Sequence, residues 1–379
     1  MPPAKVVLVT GPFGNVGSWV VRHLARQNAA LGADSDAHVR VRCFDRDGPV
    51  PRRVHERLVS ELGEHAFETV WGDLTKRADV ERALAGGVDA VVHVGAVIPP
   101  FAYQVPDVAR RVNVDATQTL LELCAALPAK PRFVFASSYS VHGPRNPAGA
   151  NNEPLSASTP VNPHCMYARH KVEGERMVRA YAGSWVILRL GAVTPPPPDL
   201  VPQPPLDGLM VRFVFSIPSA QHRHAVASSD CGLAFARAAT LPEPAVAGRT
   251  FMIGGDASWR ITSGHFNNVF FKALGVGEIS PLAYRVPDAS GDDAPWYYEE
   301  YMDTAEAQSV LDFQRTPFQD FECELYARTG TLTRAATRLV SPLVRLALCY
   351  KSPHYAHAVA GRPDPERNAS FASLCPGSE

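Results

Sequence analysis

Tyr167 and Lys171 stand four residues apart in Tyr167-Ala168-Arg169-His170-Lys171, so a helix places both on one face. A phenol titrates near pH ~10 and is a poor base at neutral pH. An ammonium nearby favours the phenolate and lowers that value. Such a tyrosine can take a proton from an alcohol as hydride leaves, or return one during reduction. Ser138 ends the apolar run that begins at Arg132, and a serine at a strand end can hold a substrate oxygen. The tyrosine–lysine spacing alone occurs widely. Here it follows, in chain order, a glycine-punctuated turn and a Ser137-Ser138 strand end.

The glycine turn indicates where the hydride goes. Val6-Val7-Leu8-Val9 reads as a strand buried on both faces, and Thr10-Gly11-Pro12-Phe13-Gly14-Asn15-Val16-Gly17 follows it directly. The next residues place Trp19, Val20, His23 and Leu24 at helical spacing. A glycine turn between strand and helix surrounds an anion with backbone N–H groups at the positive helix end. Gly11 permits the tight turn, Gly14 lets backbone approach a pyrophosphate, and Gly17 lets the helix pack on the strand. The second strand, Val39 to Phe44, ends at Asp45, whose carboxylate can accept both adenosine ribose hydroxyls. A 2′-phosphate would be repelled there, so Asp45 favours NAD, while Arg46 beside it leaves NADP open. A nicotinamide ring in its oxidised form is positively charged and favours the phenolate in the same sense as Lys171.

These residues need a scaffold that alternates strand and helix. A third strand, residues 67–71, runs into Gly72-Asp73-Leu74, which suits the edge and face of an adenine. The fourth, residues 90–94, meets Gly95-Ala96, small enough for a ribose to lie on the backbone. His93 lies inside that strand and reads as a satisfied core histidine. Asn113 opens a helix to Ala126, residues 132–136 form a fifth strand, and residues 185–190 a sixth. Five or six strands alternating with helices predict an α/β fold with a parallel, doubly wound sheet.

Together these pieces resemble the extended short-chain dehydrogenase/reductases of the NAD-dependent epimerase/dehydratase type. The matching residues are Thr10-Gly11-x-x-Gly14-x-x-Gly17, Asp45, Gly72-Asp73-Leu74, Asn113-Val114-Asp115-Ala116-Thr117, Ser137-Ser138-x-x-Val141-x-Gly143, Tyr167-x-x-x-Lys171 and Arg189-Leu190-Gly191-x-Val193. Segments 224–230, 248–255 and 303–313 continue the likeness, which covers about residues 5–325. The resemblance implies a Rossmann-type sheet with a smaller C-terminal substrate-binding part. It implies Tyr167 as the acid/base, with Lys171 lowering its pKa and binding the nicotinamide ribose. Ser138 would be the substrate-oxygen partner, four residues before His142, where the family usually holds tyrosine. Asn15, Val16, Asp45, Asp73, Leu74, Val94, Gly95, Ala96, Asn113 and Val193 would line the cofactor. A homodimer through the helices beginning near Asn113 and Tyr167 is implied as well. The expected division is a cofactor domain over 1–193 with 225–265 returning to it, a substrate-binding part from 194–224 and 266–327, and an extension over 328–379.

One stretch departs from the nucleotide-sugar members. Residues 206–218 are apolar where those members carry a glycine-rich diphosphate grip, and 194–205 is a proline run. Arg212, His222 and Arg223 remain as anion contacts. Either the pocket suits a smaller or more hydrophobic substrate, or this part is a differently packed lid. The expected activity is therefore oxidoreduction at a secondary alcohol or ketone. The alternatives are a nucleotide-sugar epimerase or dehydratase, and a non-catalytic NAD(P) sensor, which would not need Ser138, Tyr167 and Lys171.

A formal net charge of −1 offers nothing global to attract nucleic acid. Seven cysteines without metal spacing fit free thiols in a reducing cytoplasm, and no metal is expected. The first apolar run leads straight into the glycine turn, so it reads as fold and not as targeting. His164-Cys165, just before Tyr167, either touches substrate or, as the preferred reading, fills a loop, and Asn368-Ala369-Ser370 reads as a glycosylation acceptor without consequence in the cytoplasm. Residues 331–351 hold Arg334, Arg338, Arg345 and Lys351 and no acid. At about 100° per residue the three arginines fall together, opposite Leu332, Ala336, Leu339, Leu343 and Leu346. That face either packs on the chain's own substrate part or touches a membrane or partner. Pro342 is expected to end one helix and start another, and the chain after Ser352 to be an extended tail.

Overall fold

The computed structural model describes residues 5–31, 35, 38–149, 153–195, 208–288 and 293–369, with the backbone alone for 208–210. Most of the proline run at 194–205, residues 206 and 207, Ser370 and Cys375 lie outside the described residues. Seven strands form one parallel sheet: β1 Lys5–Thr10, β2 Val39–Asp45, β3 Glu68–Trp71, β4 Ala90–His93, β5 Arg132–Ser138, β6 Trp185–Leu190 and β9 Arg249–Ile253. Their order across the sheet is β3-β2-β1-β4-β5-β6-β9, and every neighbouring pair is parallel. Between β6 and β9 in the chain come β7 Ala192–Thr194 and β8 His222–Ala227, which join β10 Arg260–Thr262 in a second, three-stranded sheet.

The strands are short apolar runs because both faces of the sheet are covered. Val7 and Val9 of β1 point into one core, with Val20, Val21 and Leu24 of the helix Asn15–Ala30 and Phe235 of the helix Ser228–Thr240. Val6 and Leu8 point into the other, with Val80, Leu120 and Val178 from three helices on the opposite face. Each fully buried aliphatic side chain contributes about 1.5–3 kcal/mol. All the carboxyl ends of the sheet therefore emerge along one edge, and the loops that carry the candidate residues gather there. The break in strand order lies between β1 and β4, the switch point where such sheets bind ligands.

Two C-terminal expectations are corrected. Thr331–Lys351 is one helix with Pro342 inside it. Pro342 forfeits one backbone hydrogen bond, but it lies on the exposed side, and both halves are anchored. Arg334 donates to the Tyr326 carbonyl before it, and Leu348 and Cys349 are buried after it. Residues 353–369 fold back instead of trailing away. The buried Arg285 guanidinium donates to the carbonyls of Arg367 (3.1 Å) and Ala369, and His354 pairs with Asp364 at 2.8 Å. No helix among the described residues is long and apolar enough to cross a membrane. The six described cysteines are unpaired, and no cluster of described His, Cys, Asp or Glu residues could hold a metal.

Candidate active site

At the carboxyl edge of the sheet a cavity of about 520 Å3 runs from the glycine turn to the Tyr167 helix. Gly11, Gly14, Asn15, Val16 and Gly17 line one end, Val94, Ala96 and Val193 the flank, and Ser138, Tyr167 and Lys171 the middle. Eleven of the candidate residues thus share one space. The turn depends on its glycines. Gly11 has φ +66°, and a Cβ there would sit 2.8 Å from the Gly95 Cα. A Cβ on Gly17 would lie 2.1 Å from the Gly11 carbonyl oxygen. The helix that starts at Asn15 has no side-chain cap and no acid in its first turn. Its leading N–H groups are therefore left for an anion, and the close-packed glycines let one approach. The donor set and its place fit a dinucleotide pyrophosphate.

The remaining candidates stand behind this lining. Asp45 accepts hydrogen bonds from the N–H of Phe13 (3.2 Å) and of Arg46 (2.9 Å), which ties the end of β2 to the glycine turn. Burial pushes its carboxyl up, and those two N–H groups and Arg46 oppose the shift. Each oxygen keeps a lone pair for a hydroxyl donor. Asp73 closes its own loop by accepting from the Thr75 N–H (2.9 Å) and hydroxyl (2.8 Å). Leu74 packs against the second core. Asn113 is buried and brackets Val97, accepting from its N–H and donating to its carbonyl, both at 2.8 Å. It therefore fixes the loop after β4 from behind. Asn113 sits in a widened helical turn, Arg111–Asp115, of the kind often found at functional sites. His93 hydrogen-bonds Thr10 Oγ1 (2.8 Å) and Thr117 Oγ1 (2.9 Å), and burial lowers its pKa to about 3, so it is a neutral core histidine.

Lys171 is buried, donates from Nζ to the Ala136 carbonyl at 2.7 Å, and lies 5.5 Å from the centre of the Tyr167 ring. Desolvation lowers its pKa to about 8, with Glu175 opposing. The expected lowering of the Tyr167 pKa is absent from the protein groups alone. Burial lifts that hydroxyl above the tyrosine range, and Cys165 adds to the rise. Glu175, one turn beyond Lys171, is spent elsewhere. It accepts two hydrogen bonds from Arg189 at 2.9 Å and one from Ser137 Oγ at 2.6 Å. Arg189 reaches on to His142 Nε2 at 3.3 Å, and His142 Nδ1 meets the Pro160 carbonyl at 3.1 Å. Burial and then Arg189 hold His142 near pKa 4, so it stays neutral and clamps the loop after β5. Ser138 Oγ accepts from the N–H (3.2 Å) and hydroxyl (3.0 Å) of Ser140, which leaves its own proton available.

The substrate end is aromatic. Tyr103, Tyr139, Phe213, Tyr297 and Tyr298 line it with Ile98, Pro99 and Cys165. Of these only Cys165 was singled out from the sequence, as a substrate contact or a loop filler. Cys165, for which loop filling was the preferred reading, both lines the cavity and caps the Tyr167 helix, accepting from the Ala168 N–H at 3.5 Å. Its place two residues before Tyr167 was the available signal. The three candidate anion contacts are all engaged. Arg212 pairs with Glu366 (2.5 Å), Arg223 with Glu299 (2.8 Å), and His222 with Glu300 (2.6 Å).

Comparison with known proteins places this geometry. Residues 7–203 match the model of the NAD-dependent epimerase/dehydratase family. D-erythronate dehydrogenase of Cupriavidus necator is 31% identical over 176 residues, 46% of this chain and 50% of that protein. Human 3 beta-hydroxysteroid dehydrogenase type 7 is 31% identical over 141 residues, 37% of this chain and 34% of that protein. The chain spans about half the length, or less, of these curated relatives. Among solved structures, UDP-glucuronic acid 4-epimerase of Bacillus cereus, in complex with UDP-glucuronic acid and NAD, superposes with a TM-score of 0.64 at 20% identity, covering 86% of this chain and all of that one. A short-chain dehydrogenase/reductase superfamily protein of Agrobacterium tumefaciens with bound NAD gives 0.62 at 21% identity, covering 90% of this chain and all of that one. At such identities the likeness is one of fold. With the family model matched over more than half of the 379 residues, the chain belongs to the NAD-dependent epimerase/dehydratase family.

Proposed function

We propose that this protein is an NAD(P)-dependent oxidoreductase of the cytoplasm, acting on a secondary alcohol or ketone of a small or hydrophobic substrate. The carrying observation is the single cavity in which Ser138, Tyr167 and Lys171 meet the glycine turn at one end and an aromatic wall at the other. The uncapped helix start would hold the pyrophosphate, Asp45 the adenosine ribose, and Lys171 the nicotinamide ribose. When bound, the cofactor supplies a hydride acceptor or donor and, in its oxidised form, a positive charge beside Tyr167. Ser138 donates its hydroxyl proton to the substrate oxygen and so fixes it. Tyr167 exchanges the proton of that oxygen. Lys171 turns its ammonium toward the tyrosine and favours the phenolate. The buried Ser137–Glu175–Arg189 chain keeps Glu175 from neutralising that ammonium.

The substrate class rests on charge. A nucleotide sugar brings a diphosphate, but Lys171 is the one cation among the described residues lining the cavity, and Arg212, Arg223 and His222, outside that lining, each have a carboxylate. The identity with two dehydrogenases of non-nucleotide substrates supports the same reading. A second reading, nucleotide-sugar epimerisation, is favoured by a 30% identity over 199 residues with rice UDP-glucose 4-epimerase 4. Pairing of two copies through the helices beginning near Asn113 and Tyr167 belongs to the first reading as well. The deciding experiment measures NAD(P)H formation with hydrophobic secondary alcohols beside epimerisation of UDP-glucose. Redox turnover that is lost in Tyr167→Phe, with NAD binding retained, is the expected result. Epimerisation without net redox would replace the first reading by the second.

A further inference from the structure

The helix Thr331–Lys351 is turned inside out for a helix that braces a core. Its leucines face away from the protein. Leu332 and Leu339 are each 86% exposed, Leu343 69% and Tyr350 70%, and Leu346 is exposed beside them. At about 100° per residue these five fall within a sector of about 60°, along about 27 Å of helix. On the other side Arg334 and Arg345 are half-buried against the protein, and Arg338 is exposed. Arg334 lies over the Tyr326 ring, and Arg338 and Arg345 line a cleft of about 330 Å3 between the helix and Lys272, Gly275 and Gly277. Lys272 is paired with Glu278 at 2.6 Å, whereas neither Arg338 nor Arg345 has a carboxylate partner among the described residues. Only Val344, Leu348 and Cys349, near the helix end, join an internal apolar cluster.

We infer that this helix docks the protein on an anionic phospholipid surface. An amphipathic helix with leucines on one side and basic residues on the other lies in the plane of a bilayer interface. The apolar side enters the acyl boundary and the basic side stays at the level of the phosphates. Arg338 and Lys351, both exposed, are then within reach of those phosphates from the flanks of the helix, which has no acid to repel them. A second copy of the chain could cover the leucines but would leave the basic residues without an anion, because its own helix carries no acid. Tyr350 suits the interface, where an aromatic ring can keep its hydroxyl wet. The docked helix also touches the site. Leu348 packs with Val211 and Phe215, and Phe213 on that same helix, Gly208–Ser216, lines the active cavity. A hydrophobic substrate dissolved in the bilayer would then lie one helix away from the aromatic wall. Docking itself does not depend on the redox chemistry.

The test is co-sedimentation of the full chain with phosphatidylcholine vesicles, with and without phosphatidylserine. Binding is expected with phosphatidylserine present, weakening as salt is raised. Arg338→Ala and Lys351→Ala should each weaken it about fivefold. Leu339→Ser with Leu343→Ser, both on the exposed face, should weaken it about tenfold or more while thermal unfolding stays that of the parent. Absence of vesicle binding by the full chain overturns the inference. So does a self-associated chain that the two serine substitutions render monomeric, which would mean that a second copy covers the leucines. Binding that the serine pair leaves unchanged would place the lipid contact elsewhere on the molecule and equally overturn it.

Discussion

Lys171 carries a stability signature that follows from its burial. Its ammonium has an ordinary pKa of 10.5 and is brought to about 8 in the folded chain, chiefly by desolvation. Between those values the unfolded chain holds a proton that the folded chain has released. Stability therefore rises with pH through that window, because the unfolded state binds more protons. Below pH 8 the folded protein bears the cost of a buried ammonium, and above 10.5 both states are neutral and the gain is complete. Integrating the two titrations from pH 7 to pH 9.5 gives a gain of about 2 kcal/mol from this one group. Other groups titrate over the same range, so the measurement is a difference. Lys171→Met keeps the length and removes the charge. It also leaves the Ala136 carbonyl without its donor, which costs about 1–3 kcal/mol at either pH and cancels in the comparison. Urea unfolding of both proteins at pH 7 and pH 9.5 should show the parent gaining about 2 kcal/mol on the variant. Parallel behaviour of the two would mean that Lys171 keeps an ordinary pKa, and the account of its burial would fail.

Three further outcomes are expected. Gly17→Ala should prevent the glycine turn from closing and abolish NAD binding, because its Cβ would lie 2.1 Å from the Gly11 carbonyl oxygen; calorimetric titration with NAD checks it, and retained affinity would show that the turn can open at little cost. Asp45→Ala should narrow or reverse a preference for NAD over NADP, measured as the ratio of their dissociation constants; tighter NADP binding by the parent would hand control of the site to Arg46. His142→Phe should lower stability by about 1–3 kcal/mol through the stranded Arg189 and Pro160 groups, with no change in the pH profile of turnover, since a histidine held near pKa 4 is neutral at working pH. A shifted profile would instead give His142 a part in proton transfer.

The sheet was legible because each strand carries its own signal. Val6 to Val9 and Phe133 to Ala136 are short apolar runs that suit a strand covered on both faces, Val39 to Phe44 alternates Arg40 and Arg42 with apolar residues, and the intervening helices repeat at the right period. The glycine turn was legible for the same reason, since Gly11, Gly14 and Gly17 each answer to a local steric demand. The C-terminal part was less so. β7, β8 and β10 are three to six residues long and pair across gaps in the chain that no local pattern reports. In residues 331–351 the two faces were readable, but not which one the protein covers. Helical period fixes the angle between leucines and arginines, and tertiary contacts alone decide which side turns inward.

The charge state of the site shows most clearly where sequence reasoning stops. From spacing alone, Lys171 has a ready partner in Glu175, four residues on, and a helix would normally pair them. Such a pair would hold the ammonium's field on the carboxylate and leave Tyr167 little of it. In the fold, β6 brings Arg189 against Glu175, and β5 adds Ser137, so both carboxylate oxygens are taken. Arg179 adds a second cation at 2.9 Å from Glu175. Lys171 is left with a carbonyl, Ala136, in place of a counterion. A buried cation without a counterion is costly, and the cost appears as its lowered pKa. The same arrangement makes it responsive, since a hydroxyl or phenolate placed beside it stabilises the ammonium instead of competing with a carboxylate. On the proposed reading Arg189 prepares the site without touching it: a residue on β6 keeps Glu175 occupied, and the Lys171 ammonium is left for Tyr167.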